Sequence, residues 1–134
     1  QFGTNQIATA PDIPSFLVPV RDRVGSLFSI DPGALAQVSI IEYSVGSPIG
    51  WHRDVPYFGV VAGISLGAAC RMRFRRRQGS RSKKFDRKDV LSIDLAPRSV
   101  YLMSGASRDL WQHSIPPVED LRYSIMMRTV RPLA

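Results

Sequence analysis

Two histidines occur in this 134-residue chain, His52 and His113, and Asp54 follows the first of them at a spacing of two. On a β-strand that spacing turns both side chains to one face, so an imidazole and a carboxylate could hold one metal ion from adjacent positions. A second imidazole, brought in at His113 by the folding of a sheet, would complete a facial set of two histidines and one carboxylate. Such a set leaves three positions open on Fe(II) for a cosubstrate and dioxygen. Alone, His-x-Asp is a weak signal, because a strand histidine is more often a half-buried, hydrogen-bonded side chain than a ligand.

A second constellation lies near the C-terminal end, in Arg122-Tyr123-Ser124-Ile125-Met126-Met127-Arg128. In a strand, Arg122, Ser124 and Arg128 share one face, and Tyr123, Ile125 and Met127 share the other. Two fixed cations on an inward face are costly to bury without an anion. A small dicarboxylate would supply one, since guanidinium forks pair carboxylates at two points. Six residues separate Arg122 from Arg128, roughly 20 Å along an ideal strand, so the two must divide the work. The alternative is a pair of strand-end arginines facing water.

The elements that must position these residues follow from periodicity. After Pro11-Asp12-Ile13-Pro14, apolar residues at Phe16, Leu17, Val20, Val24, Leu27 and Phe28 predict one helix, with Pro19 early enough to be tolerated. From Val38 the period becomes two. Strands are predicted over Val38 to Tyr43, Ile49 to Asp54, Val60 to Leu66, Cys70 to Arg75, Val90 to Leu95, Ser99 to Ser104, Leu110 to Ile115 and Leu121 to Thr129. Eight short strands separated by turn signals suggest a sandwich or barrel. Cys70, Met72 and Phe74 alternate with arginines, and Leu91, Ile93 and Leu95 with Ser92 and Asp94, so each strand is expected to have one core face and one polar face.

Length and composition agree with a single domain spanning residues 1–134, 44 % of them apolar. No run approaches the roughly 20 apolar residues of a membrane span, and no secretory leader is read at the start. One cysteine, Cys70, excludes an internal disulfide and a multi-thiolate zinc site, so the cytoplasm is expected, or the nucleus in a eukaryote. The formal charge of +7 is concentrated: ten of the 18 bases fall between Arg71 and Lys88, against the single acid Asp86. This segment reads as a hairpin with Gln78-Gly79-Ser80 near its tip. Arg71, Arg73, Arg75, Arg76, Arg77, Lys83 and Lys84 are candidate nucleic-acid contacts, the alternative being a solvated, solubilising hairpin.

Taken in order, Tyr43-Ser-Val-Gly46, Ile49-Gly-Trp-His52-Arg-Asp54, Ile64-Ser-Leu-Gly67, Arg71-Met-Arg-Phe74, Tyr101-Leu-Met-Ser-Gly105, Arg108-Asp-Leu-Trp-Gln-His113-Ser-Ile115 and Arg122-Tyr-Ser-Ile-Met-Met-Arg128 resemble the AlkB family of Fe(II)- and 2-oxoglutarate-dependent dioxygenases. The resemblance covers nearly the whole chain after Val38. It implies an all-β double-stranded β-helix, or jelly roll, with the helix packed outside. It also implies His52, Asp54 and His113 as the metal and catalytic residues, with Fe(II), 2-oxoglutarate and dioxygen as cofactors. Arg122 would pair the distal carboxylate of 2-oxoglutarate, Tyr43 would donate its hydroxyl to the same molecule, and Arg128 would sit by the metal-chelating end. Ser124 stands where many relatives have asparagine or serine.

The implied activity is oxidative demethylation of an N-alkylated base in DNA or RNA, as in alkylation repair: the methyl group is hydroxylated and the hemiaminal loses formaldehyde. The implied partner is therefore alkylated nucleic acid; neither a membrane nor a protein partner is inferred. Three departures bear on this. Ile41 replaces an asparagine found in several relatives, removing one hydrogen bond to the cosubstrate. Pro56 stands where nucleic-acid-repairing relatives often carry a base-reading acid. The Phe-Gly pair that follows the substrate-gripping lid in relatives is Phe2-Gly3 here, so the lid is expected to be lacking. Two alternatives remain: the same oxygenase chemistry on a modified protein or small molecule, and a non-catalytic basic nucleic-acid-binding module.

Overall fold

The structure, a computed structural model, describes residues 12–76 and 89–132. Within them eight strands form two four-stranded sheets. The major sheet has the order β1 (Gln37–Tyr43), β8 (Arg122–Val130), β3 (Phe58–Gly67), β6 (Ser99–Met103), and the minor sheet β2 (Ile49–His52), β7 (Trp111–Ile115), β4 (Cys70–Arg76), β5 (Leu91–Leu95). Every pairing is antiparallel. The chain switches sheets at every connection except β4 to β5, and this winding is the expected double-stranded β-helix. The β4–β5 connection carries Arg77, Gln78-Gly79-Ser80, Lys83 and Lys84, which lie outside the described residues, as does Phe2-Gly3.

The major sheet is covered on both faces, which explains the near-continuous apolar run of β3. Its outer face, with Ala62, Ile125 and Met127, packs under Leu17, Val24 and Leu35. Its inner face meets the minor sheet through Val61, Met103 and Met126, beside a second cluster of Tyr43, Met72, Leu95, Ile115 and Val118. The helix α1 spans Val18–Phe28 after a 3-10 turn at Ser15–Leu17, with Pro19 in the first turn, where its missing N–H is no loss.

Three expectations are corrected. Phe16 and Leu27 belong to the apolar periodicity but are exposed: Phe16 falls in the 3-10 turn, out of phase with the helix, and Leu27 flanks the Val20, Val24, Phe28 row. Leu91 and Ile93 were expected in the core and are 57 % and 52 % exposed. They sit on the edge strand β5 and line an open groove of about 470 Å³ with Phe74, Tyr101, Met103 and Trp111; within β5 only Leu95 is buried. Finally, where one helix was expected, a second, short helix α2 (Gly105–Asp109) fills the gap between the strands predicted over Ser99 to Ser104 and Leu110 to Ile115, its start marked by Ser104 N–H donating to Ser107 Oγ at 3.1 Å. Among the described residues no helix is long and apolar enough to cross a membrane.

Candidate active site

His52 and His113 are register partners on β2 and β7, so the ladder itself sets their rings side by side, with centroids 4.3 Å apart. Asp54 joins them differently from expectation. Strand β2 ends at His52, and Asp54 is brought back by the following loop rather than by the pleat. Its Oδ1 lies 3.3 Å from His52 Nε2 and 3.6 Å from His113 Nε2, and one ligand atom from each residue falls within 4.8 Å of the others. His52 Nδ1 lies 2.9 Å from Gly50 O. A carbonyl only accepts, so Nδ1 carries a proton and Nε2 is the nitrogen turned to the cluster, donating to Asp54 while it is protonated and free to ligate once that proton is lost.

The electrostatics suit a cation. Burial, with the neighbouring His52 charge adding to it, pushes His113 down to about 4, so its imidazole is neutral at pH 7 and able to ligate. Contact with Asp54 raises His52. Burial alone would raise the Asp54 carboxyl, but the hydrogen bond from His52 and the charges of His113 and Arg128 outweigh it and hold the group below the usual range. Asp54 Oδ2 is buried with no hydrogen-bond partner. An orphaned carboxylate oxygen beside two imidazoles fits a divalent ion of the kind held by two nitrogens and one oxygen.

The cluster opens into a cavity of about 330 Å³ whose walls include Tyr43, Arg122, Ser124 and Arg128. All the predicted metal and cosubstrate residues therefore meet in one place. Arg122 is 1 % exposed. Its Nε donates to Ser65 Oγ at 3.1 Å, while Nη1 and Nη2 are buried without a partner. Arg128 donates from Nη1 to Ser39 Oγ and Gln37 Oε1 at 3.0 and 3.2 Å. Ser124 Oγ turns to Met126 Sδ at 3.0 Å. Burial raises the Tyr43 and Tyr101 hydroxyls, so both stay protonated donors. Ile41 also lines the cavity and gives it an apolar wall at that position.

Sequence reasoning gave no role to three contributors. Ser65 orients Arg122. Tyr101 reaches into the cavity because its register partner Gly63 has no side chain, and a Cβ there would collide with the Tyr101 ring. Arg108, 3 % exposed, donates to four main-chain carbonyls: Gly59 at 2.9 Å, Asp54 at 3.3 Å, Val55 at 2.6 Å and Phe58 at 2.8 Å. The visible trace of Arg108 was its place at the head of the His113 motif.

Of the basic candidates among the described residues, Arg71, Arg73 and Arg75 lie elsewhere, on the outer face of the minor sheet. Arg73 Nε donates to Ser114 Oγ at 3.1 Å and Arg75 Nε to Gln112 Oε1 at 2.8 Å. Their guanidinium groups lie 5.2 and 4.5 Å from the centre of the Trp51 ring. Arg71 pairs with Asp94 at 3.3 Å, and Arg76 is exposed at the end of β4.

With this geometry in hand, comparison with known proteins is decisive at the family level. The profile described as "2OG-Fe(II) oxygenase superfamily" matches residues 4–131. The chain belongs to that superfamily. It is an AlkB-like member, as its likeness to two curated relatives indicates. One is the "Alkylated DNA repair protein ALKBH8 homolog" of Arabidopsis thaliana, 28 % identical over 97 % of this chain and 43 % of the relative. The other is the "tRNA (carboxymethyluridine(34)-5-O)-methyltransferase alkbh8" of Xenopus tropicalis, 35 % identical over 60 % of this chain and 12 % of the relative. The chain thus spans less than half the length of either. A dTDP-4-dehydrorhamnose 3,5-epimerase from Elizabethkingia anophelis NUHP1 shares the jelly-roll fold alone, with 10 % identity, a TM-score of 0.51, and coverage of 84 % of this chain and 59 % of that one. The superfamily's cofactors are Fe(II), 2-oxoglutarate and dioxygen, and the histidine–aspartate cluster fits the first.

Proposed function

We propose that residues 1–134 form one Fe(II)- and 2-oxoglutarate-dependent dioxygenase domain that oxidatively demethylates N-alkylated bases in DNA or RNA, in the cytoplasm or nucleus. The observation that carries this reading is the meeting, in one cavity, of the His52, Asp54 and His113 cluster with the unpartnered fork of Arg122. The three ligating side chains would hold the metal from one side and leave the other side to cosubstrate and dioxygen. When bound, Fe(II) and 2-oxoglutarate supply the oxidising chemistry, and the protein supplies orientation and a dry pocket.

In this reading Arg122 takes the distal carboxylate of 2-oxoglutarate on Nη1 and Nη2, held in aim by Ser65, and Tyr43 donates its hydroxyl to the same group. Arg128, anchored by Gln37 and Ser39, keeps its charge near Asp54 and the chelating end. Ser124 borders the same space. The target base must leave its stack to reach the metal. Arg71, Arg73, Arg75 and Arg76, with Arg77, Lys83 and Lys84, would hold phosphates by counterion release. The names of the two curated relatives, one for repair of alkylated DNA and one for tRNA modification, support a nucleic-acid substrate. The test is succinate release on N-methylated DNA and RNA oligonucleotides against methylated peptides. Turnover on the oligonucleotides is expected, and turnover confined to peptides would replace the substrate while leaving the chemistry.

A further inference from the structure

We infer that Arg108 is a positioning residue for the metal centre: by gripping the main chain at Asp54 and Val55 in the 53–57 loop and at Phe58 and Gly59 where β3 begins, it sets where the Asp54 carboxylate stands. The inference rests on the reading of Asp54 as a ligand.

The argument begins with what holds the other two ligands. His52 and His113 are fixed by the β2–β7 ladder, and His52 also by Gly50 O. Asp54 has no strand beneath it. Its loop has one backbone bond to the start of β3, Phe58 N–H to Val55 O at 3.0 Å, and one from the residue after β8, Arg131 N–H to Tyr57 O at 3.0 Å. What remains is supplied by Arg108, which spends its donors on the carbonyls of Asp54, Val55, Phe58 and Gly59. A buried guanidinium ordinarily seeks a carboxylate. The nearest acid in sequence, Asp109, turns instead to Arg131.

The attachment is also reciprocal. Arg53, just before Asp54, donates Nη1 to Asp109 O at 2.8 Å. The loop thus grips the end of α2 while α2 grips the loop, and α2 runs directly into β7, which carries His113. One short segment therefore places one ligand by sheet pairing and another by clamping its backbone. Outer groups of this kind commonly change metal affinity by about 10- to 100-fold when removed.

The test uses Co(II) titrated into the metal-free 134-residue chain, followed by calorimetry and by the ligand-field spectrum of the bound ion. Arg108→Gln is expected to weaken Co(II) binding by about tenfold or more and to alter the spectrum, because the carboxylate no longer has a fixed place. Arg108→Lys, which keeps the charge but not the fork, should fall between Gln and wild type, and it answers the question if the Gln variant does not fold. Val24→Ala, under α1 and away from the site, is the control for lowered stability: it should melt earlier and bind Co(II) as wild type does. Folded Arg108 variants with wild-type affinity and spectrum would overturn the role given to Arg108. Absence of Co(II) binding in the wild-type chain itself would instead overturn the metal reading.

Discussion

Tyr43 and Arg122 face each other across the β1–β8 ladder, the guanidinium carbon 4.9 Å from the centre of the phenol ring. The phenol ring thus stands against a cation whose Nη1 and Nη2 are buried without a hydrogen-bond partner. An arginine kept in this state is destabilising until an anion arrives. Arg122→Met should therefore raise the Tm of the ligand-free chain while abolishing 2-oxoglutarate binding, since a buried charge replaced by an apolar side chain of similar size often gains stability. Arg128→Lys should weaken that binding far less than Arg122→Ala, whose loss is put at ~3 to 5 kcal/mol. Calorimetric titration of the variants checks both statements, and equal affinities would exchange the roles of the two arginines.

For the metal set, His52→Ala, Asp54→Ala and His113→Ala are each expected to abolish Fe(II)-dependent conversion of 2-oxoglutarate to succinate while leaving the far-UV circular dichroism close to wild type. The cluster lies beside the cavity rather than within the packed apolar clusters, so losing a ligand costs function before fold. Normal turnover in the His113 variant would remove it from the set.

Gly63 offers a test through space rather than charge. A methyl group there would collide with the Tyr101 ring, so Gly63→Ala should cost about 1 to 3 kcal/mol by overpacking and weaken 2-oxoglutarate binding as Tyr101 is driven into the cavity. Adding Tyr101→Ala should recover part of both losses, a coupling that a double-mutant cycle reads directly. Simple additivity would mean that the ring does not lean on Gly63.

For the basic face, replacing Arg75, Arg76, Arg77, Lys83 and Lys84 with glutamine should lower oligonucleotide affinity and flatten its salt dependence, by roughly 0.7 to 0.9 in log–log slope for each phosphate that is no longer neutralised. Succinate release without nucleic acid should hardly change. Binding at two salt concentrations separates this from a merely solubilising hairpin, for which the slope stays as in wild type.

The sequence was most informative where one local rule governs. Period-two alternation, with short apolar runs broken by turn signals, located all eight strands to within about two residues. It misjudged Leu91 and Ile93, since alternation reports the phase of a strand and not whether an edge strand has anything across from it. The candidate ligands were legible through ordered motifs, and the structure brings them together, but the route by which Asp54 arrives was not: a loop bent by long-range hydrogen bonds has no periodic signature. Arg108 was hidden for the same reason. Its partners are carbonyl oxygens, which every residue has, so nothing in the composition of the loop announces them.

That anonymity has an evolutionary side. Because Arg108 reads main-chain oxygens at 54, 55, 58 and 59, it is indifferent to which side chains those positions carry, and Val55 and Tyr57 project outward from the loop largely exposed. Side chains on this rim could therefore be exchanged without loosening the main chain that carries the Asp54 carboxylate.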